Sequence, residues 1–112
     1  VLSHWTWLPS LRKQLIKAAN TVFNSGRQRI IRLMTPMGMR YKDAYANAHP
    51  FDKLVEGMLQ PEMVSDAVSF MQEATENGIE TNILINNRSG GNAPIIAQRV
   101  AEQFLADSCL KF

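Results

Sequence analysis

The amino-acid sequence predicts an α/β fold of about three parallel β/α units, and three observations carry that expectation. Helical and strand periodicities alternate along the chain. The connections between the strand segments are too long for hairpins, which argues parallel pairing through right-handed crossovers. At 112 residues and 46% hydrophobic content, the chain has the size of one ordinary domain with a small core.

Each element follows from local pattern. Val1 to Ser3 reads as the end of a strand. Leu8, Leu11, Leu15, Ala18/Ala19 and Val22 recur at helical spacing, with Pro9 in the first turn and Asn24-Ser25-Gly26 as the stop. Arg29 to Met34 is short, β-branched at its centre and ended by Thr35-Pro36, which predicts a buried strand. The following stretch, TPMGMRYKDAYANAHP, is long for a loop, and a short helix around Tyr41 to Ala48 absorbs much of it. Phe51, Leu54, Val55, Met58 and Leu59 predict an amphipathic turn or two, broken by Pro61.

Pro61 opens the next helix, whose apolar face is Met63, Val64, Ala67, Val68, Met71 and Ala74 and whose C-cap is Asn77-Gly78. Ile79 to Ile85 is the clearest strand, with Ile79, Thr81, Ile83 and Ile85 on one face and Leu84 on the other. Ala93/Pro94 begin a last helix that buries Ile96, Ala97, Val100, Ala101, Phe104 and Leu105.

Charge is distributed unevenly. Eight of the 12 Lys/Arg (Arg12, Lys13, Lys17, Arg27, Arg29, Arg32, Arg40 and Lys42) precede Asp43, the first of the ten acids. Such a basic third attracts polyanions by counterion release. The competing expectation pairs these cations with acids in the later half, in a missing segment or in a second copy, because no nucleic-acid motif or aromatic interleaving accompanies them. The single Cys109 excludes an internal disulfide framework and predicts a reducing, cytoplasmic compartment. No apolar run approaches the ~20 residues that span a bilayer, so no membrane partner is expected. The chain starts without Met and enters a strand with no leading cap, which predicts a fragment.

In parallel α/β architectures the loops leaving strand C-termini gather on one ligand-binding rim. That geometry places His4-Trp5-Thr6-Trp7, Thr35 to Tyr41 and Asn86-Asn87-Arg88 side by side. In INNRSGGNAPII, Asn92 is suited to cap the last helix, and Gly90 and Gly91 permit a tight turn whose amides could face one point near a helix N-terminus. Arg88 supplies a bidentate fork. A small anionic or phosphorylated ligand fits these groups, and so does a plain strand-to-helix connection. Asn86 and Asn87 end a strand and point to opposite sides, one of them available to a ligand or to a neighbouring loop. Arg40 is the candidate cation of the TPMGMRY loop, and His4 is a candidate base or ligand. Trp5 and Trp7 share a face if extended, stacking on a ring or filling a barrel mouth. His49-Pro50 reads as a turn, and Tyr41, Tyr45 and Phe51 as a cluster pinning the loop. With no HExxH and no paired acids, no metal site and no cofactor motif are expected within these residues.

The stretches HWTWLP, RLMTPMGMRYKDAYANAHPFDKLVEGML and INNRSGGNAP resemble the C-terminal part of the YecE-like family, a domain family of unknown function, across nearly the whole chain. Its members are eight-stranded β/α barrels, so the resemblance implies a C-terminal fragment of a (β/α)8 TIM barrel holding strands six to eight of about 250 residues. Many members carry His where this chain has Met34. Two function classes follow. One is a barrel enzyme whose complete chain binds a phosphorylated or otherwise anionic small substrate at the rim, positioned by Arg40, Asn86, Asn87, Arg88 and the Gly90 and Gly91 amides. The other is a non-catalytic interaction or nucleic-acid-binding module that uses the basic N-terminal third. A three-unit fragment is expected to self-associate over its uncovered surfaces and to be inactive alone.

Overall fold

The computed structural model describes residues 1–18 and 28–110, so the expected helix stop at Asn24-Ser25-Gly26, with Ala19, Val22 and Arg27, lies outside the described residues. The elements run β1 (Leu2–His4), α1 (Leu11–Ala18), β2 (Gln28–Leu33), α2 (Tyr41–Ala48), α3 (Pro61–Glu76), β3 (Glu80–Ile85), a 3-10 turn (Asn87–Ser89) and α4 (Ala93–Leu110). The three strands form one parallel sheet in the order β1-β2-β3. Register aligns Leu2 with Ile31 and Ile83, and His4 with Leu33 and Ile85.

Residues paired across a parallel ladder point to the same face. Leu2, Ile31, Leu33, Ile83 and Ile85 therefore form one apolar layer, and all of them pack in a single cluster with Leu11 of α1, Met63, Ala67 and Val68 of α3, and Ile96 and Val100 of α4. Every helix that contributes to that cluster lies on this one side. The alternate residues, Ser3, Ile30, Arg32, Asn82 and Leu84, form the other face, which no helix of the described residues covers. Two consecutive crossovers of the same hand produce this arrangement, because each steps the sheet in the same direction. The chain is accordingly a slab, 38 × 32 × 18 Å.

Several boundaries differ from expectation for physical reasons. Helix α1 begins at Leu11 and not at Leu8, because Ser10 Oγ accepts from Lys13 N at 3.2 Å and caps it. Segment 51–59 forms turns, as expected, and their path is set by Phe51 and Gly57, which hold positive φ (66° and 77°), and by Val55 N, which donates to Gly90 O at 2.9 Å. Trp5 to Leu8 closes a turn through Leu8 N and Trp5 O (3.3 Å), so the two tryptophans do not lie on an extended segment. Helix α4 buries Ile96 and Val100 and half-buries Phe104, but Ala97, Ala101 and Leu105 face solvent. Its contact is one i, i+4 row against α3 and the sheet, narrower than the stripe the sequence suggested. Expected features that hold include α2, the start of α3 at Pro61 and the Asn77-Gly78 terminus, where Gly78 has φ 68°.

The outer edge of β1 is occupied. Gln14 Nε2 donates to Ser3 O at 2.7 Å while Ser3 N donates to Gln14 Oε1 at 3.3 Å, so one side chain takes both ladder groups of that residue. The basic third is partly neutralised by α3: Arg12 pairs with Asp66 (3.5 Å) and Arg29 with Glu73 (3.7 Å). No helix of the described residues is long and apolar enough to cross a membrane.

Candidate functional site

The loops after β1, β2 and β3 meet at one rim, joined by short-range chemistry. Thr6 Oγ1 and Thr35 Oγ1 share a hydrogen bond of 3.0 Å, Thr6 Oγ1 also donates to Met39 O, and Gly38 N donates to Thr6 O at 3.1 Å. Gly38, at φ 84°, makes the turn that the sequence required of it. These bonds weld the first two loops together beneath exposed Trp5, Trp7 and Met37.

His4 turns away from this surface. It is only 3% exposed, sits on the helix side of the sheet, and places Nε2 2.7 Å from Gln60 Oε1. The Gln60 amide is itself oriented by Met37, whose N–H donates to Oε1 (2.9 Å) and whose carbonyl accepts from Nε2 (3.2 Å). Oε1 is therefore the acceptor, and His4 carries its proton on Nε2. Burial pushes the His4 pKa below its ordinary 6.5, outweighing the raising effects of Gln60, Asp66 and Glu62. His4 thus ties the end of β1 to the N-terminus of α3.

With the folded pKa below the unfolded 6.5, the unfolded state binds the extra proton. His4 stabilises the fold fully above pH 6.5, and its contribution falls as pH drops from there toward the folded pKa. Urea midpoints measured from pH 8 to pH 5 are expected to decline less steeply in His4→Gln than in the wild type. Parallel slopes would remove His4 from the account.

After β3 the polar groups are arranged by caps. Asn86 Oδ1 accepts from Arg88 N (3.0 Å) and starts the 3-10 turn, and Asn87 Oδ1 accepts from Ala93 N (2.8 Å) at the first residue of α4. Asn92 Oδ1 accepts from Ile95 N (3.0 Å), the cap expected from sequence. Gly90 N and Gly91 N both donate to Asn87 O, at 3.3 and 2.7 Å. The two glycine amides are thus satisfied within the loop and do not form an open cradle. Close approach demands glycine at Gly91 (φ 117°), where a Cβ would lie 2.2 Å from Lys53 O, whereas a Cβ on Gly90 would press on the Leu59 side chain at 3.1 Å.

Arg88 behaves differently. Its guanidinium Cζ lies 4.2 Å from the centroid of the Tyr41 ring, and Nη1 is 3.4 Å from the Tyr41 hydroxyl. Nε is buried without a hydrogen-bond partner, and among the described residues no acid pairs with this cation. Tyr41 is the first residue of α2, whose N-cap is Arg40 and whose amide end no side chain caps. Tyr41 therefore belongs to Arg88, whereas Tyr45, His49 and Phe51 make the aromatic cluster that pins the loop, with centroids 5.3 to 6.2 Å apart. The structure thus brings Arg88 onto Tyr41, leaves Arg40 exposed at the N-cap of α2, buries His4 elsewhere, and gives the oxygens of Asn86 and Asn87 to backbone donors.

Gln60 was not singled out by sequence reasoning; its partners are far away in the chain and no local pattern marks it. A cavity of about 420 Å³ opens on the helix layer, lined by Leu54, Pro61, Val64, Arg99 and Gln103, and touches none of the rim residues. Among the described residues no three His, Cys, Asp or Glu side chains group as metal ligands. No family model, curated protein or solved structure matches the chain.

Proposed function

We propose that this chain carries β/α units of a YecE-like barrel and binds a small anionic ligand, a carboxylate or phosphate, at the strand C-terminal rim through Arg88. The carrying observation is the Arg88 guanidinium itself: stacked on Tyr41, partly withdrawn from water, and facing no acid among the described residues. A desolvated cation ordinarily has a paired anion. Stacking fixes the plane of the fork; Nη1 reaches the Tyr41 hydroxyl at 3.4 Å, and the remaining N–H groups of the two terminal nitrogens are available to donate to a planar or tetrahedral anion. Arg40 and the uncapped amide end of α2 add positive potential beside the same ring. The barrel assignment is supported by the consecutive parallel order and by the single helix layer.

Titration of the 15N-labelled chain with inorganic phosphate and with citrate is expected to shift the amides of Tyr41 and Arg88 saturably. Arg88→Ala is expected to weaken that binding about tenfold or more, with Arg88→Lys in between. Absence of any saturable shift in the wild type would remove the reading.

A further inference from the structure

We infer that Arg32 is a second anion-binding group of the rim site, so that the ligand carries two anionic groups, one held by Arg88 and one by Arg32, with the Asn86 amide between them. The inference rests on the anion and barrel readings above and adds the class of ligand. In a barrel the helices lie outside, so the sheet face that no helix covers is the inner wall. Side chains on it face the barrel axis.

Alternation puts Ser3, Arg32 and Leu84 on that wall at one level, with Ile30 and Asn82 paired one layer below. Arg32 is the last residue but one of β2, so it stands at the C-terminal end of the strand, beside the rim. Barrel interiors are ordinarily filled by branched apolar side chains. Arg32 breaks that rule: it is half-buried, and among the described residues no acid pairs with it. A cation partly withdrawn from water calls for an anion, as it does at Arg88.

Asn86 connects the two cations. Its N–H donates to Leu33 O at 2.9 Å, so the chain continues the β3 ladder, and alternation carries its side chain to the inner wall one layer above Arg32 and Leu84. Its Oδ1 accepts from Arg88 N at 3.0 Å, which sets the Arg88 backbone over the same wall and leaves Nδ2 as a donor. Arg32, Asn86 and Arg88 thus rise in order from the strand end to the rim. Two cations on neighbouring strand ends repel one another, and a ligand with two anionic groups neutralises both where a single anion neutralises one.

Titrations of the 15N-labelled chain with inorganic phosphate, phosphoglycolate and 3-phosphoglycerate test this, because the last two add a carboxylate to the phosphate group at two different reaches. At least one of them is expected to bind about tenfold or more tighter than phosphate, and to shift the amides of Leu33 and Leu84 together with that of Arg88. Arg32→Gln should abolish the advantage. Arg32→Lys should keep part of it, and carries the test if Arg32→Gln fails to fold by circular dichroism. Saturable phosphate binding at Arg88 with no advantage for either longer ligand, or an advantage that survives the loss of Arg32, overturns the inference and leaves the anion reading standing. Phosphate that shifts no amide removes the anion reading, and this inference with it.

Discussion

Replacing Gly91 with alanine is expected to cost about 3–5 kcal/mol of stability, at the upper end of single substitutions. Two effects add. The residue holds φ at 117°, a backbone conformation that side chains rarely adopt. The new Cβ would also lie 2.2 Å from Lys53 O and 3.0 Å from Val55 N, and these are backbone atoms that cannot rotate aside. Relief requires moving the 53–55 segment away, which breaks the Val55 N to Gly90 O bond of 2.9 Å. Gly38 is the control. Its φ is 84° and a Cβ there meets nothing within 4 Å, so Gly38→Ala is expected to cost only about 1–2 kcal/mol. Equilibrium urea denaturation of the two variants separates strain from collision. Equal losses would mean that the backbone does not approach Gly91 as described.

Leu33→Ala carries the second large effect, about 2–5 kcal/mol, from lost burial and the cavity left behind. Leu33 is 0% exposed in the central strand and its carbonyl accepts from Asn86 N at 2.9 Å, so it links the core to the last rim loop. Leu105→Ala on α4, where the side chain is 62% exposed, is expected to stay within about 0.5 kcal/mol. A loss at Leu105 approaching that at Leu33 would restore the wider helix stripe suggested by sequence periodicity and contradict the narrow contact.

Elements whose signals are local could be read from the chain. Helix α3 is bracketed by Pro61 and by Asn77-Gly78, and β3 alternates cleanly between Thr81, Ile83 and Ile85 on one side and Asn82 and Leu84 on the other. Segment 51–59 forms the turns its apolar spacing suggests, but the bond that decides their path comes from Gly90. Periodicity reports which residues prefer burial, and it does not report a distant backbone acceptor.

The candidate site divides in the same way. Asn92 could be identified as a cap because its donor is three residues on. Asn86 and Asn87 looked like surplus polarity, although their oxygens also cap nearby amides, one of them across a turn the sequence did not reveal. Histidine at a strand end suggested a base, and only the three-dimensional partner Gln60 shows the imidazole facing inward. Arg88 kept its interest for a reason invisible in sequence: its ring partner, Tyr41, precedes it by most of the intervening unit.

The order β1-β2-β3 also bears on how the chain reaches its fold during synthesis. Every strand pairs with the strand next in sequence, so no ladder waits for a distant segment to emerge. Side-chain closure runs on a later schedule. Asp66 accepts from Arg12 N near the start of α1, and Gln60 accepts from His4 at the end of β1, so both locks on the first unit are supplied around α3. The first β/α unit can thus form early, joined to the second through Thr6 and Thr35, and gain these two further side-chain contacts only when the third helix has been made.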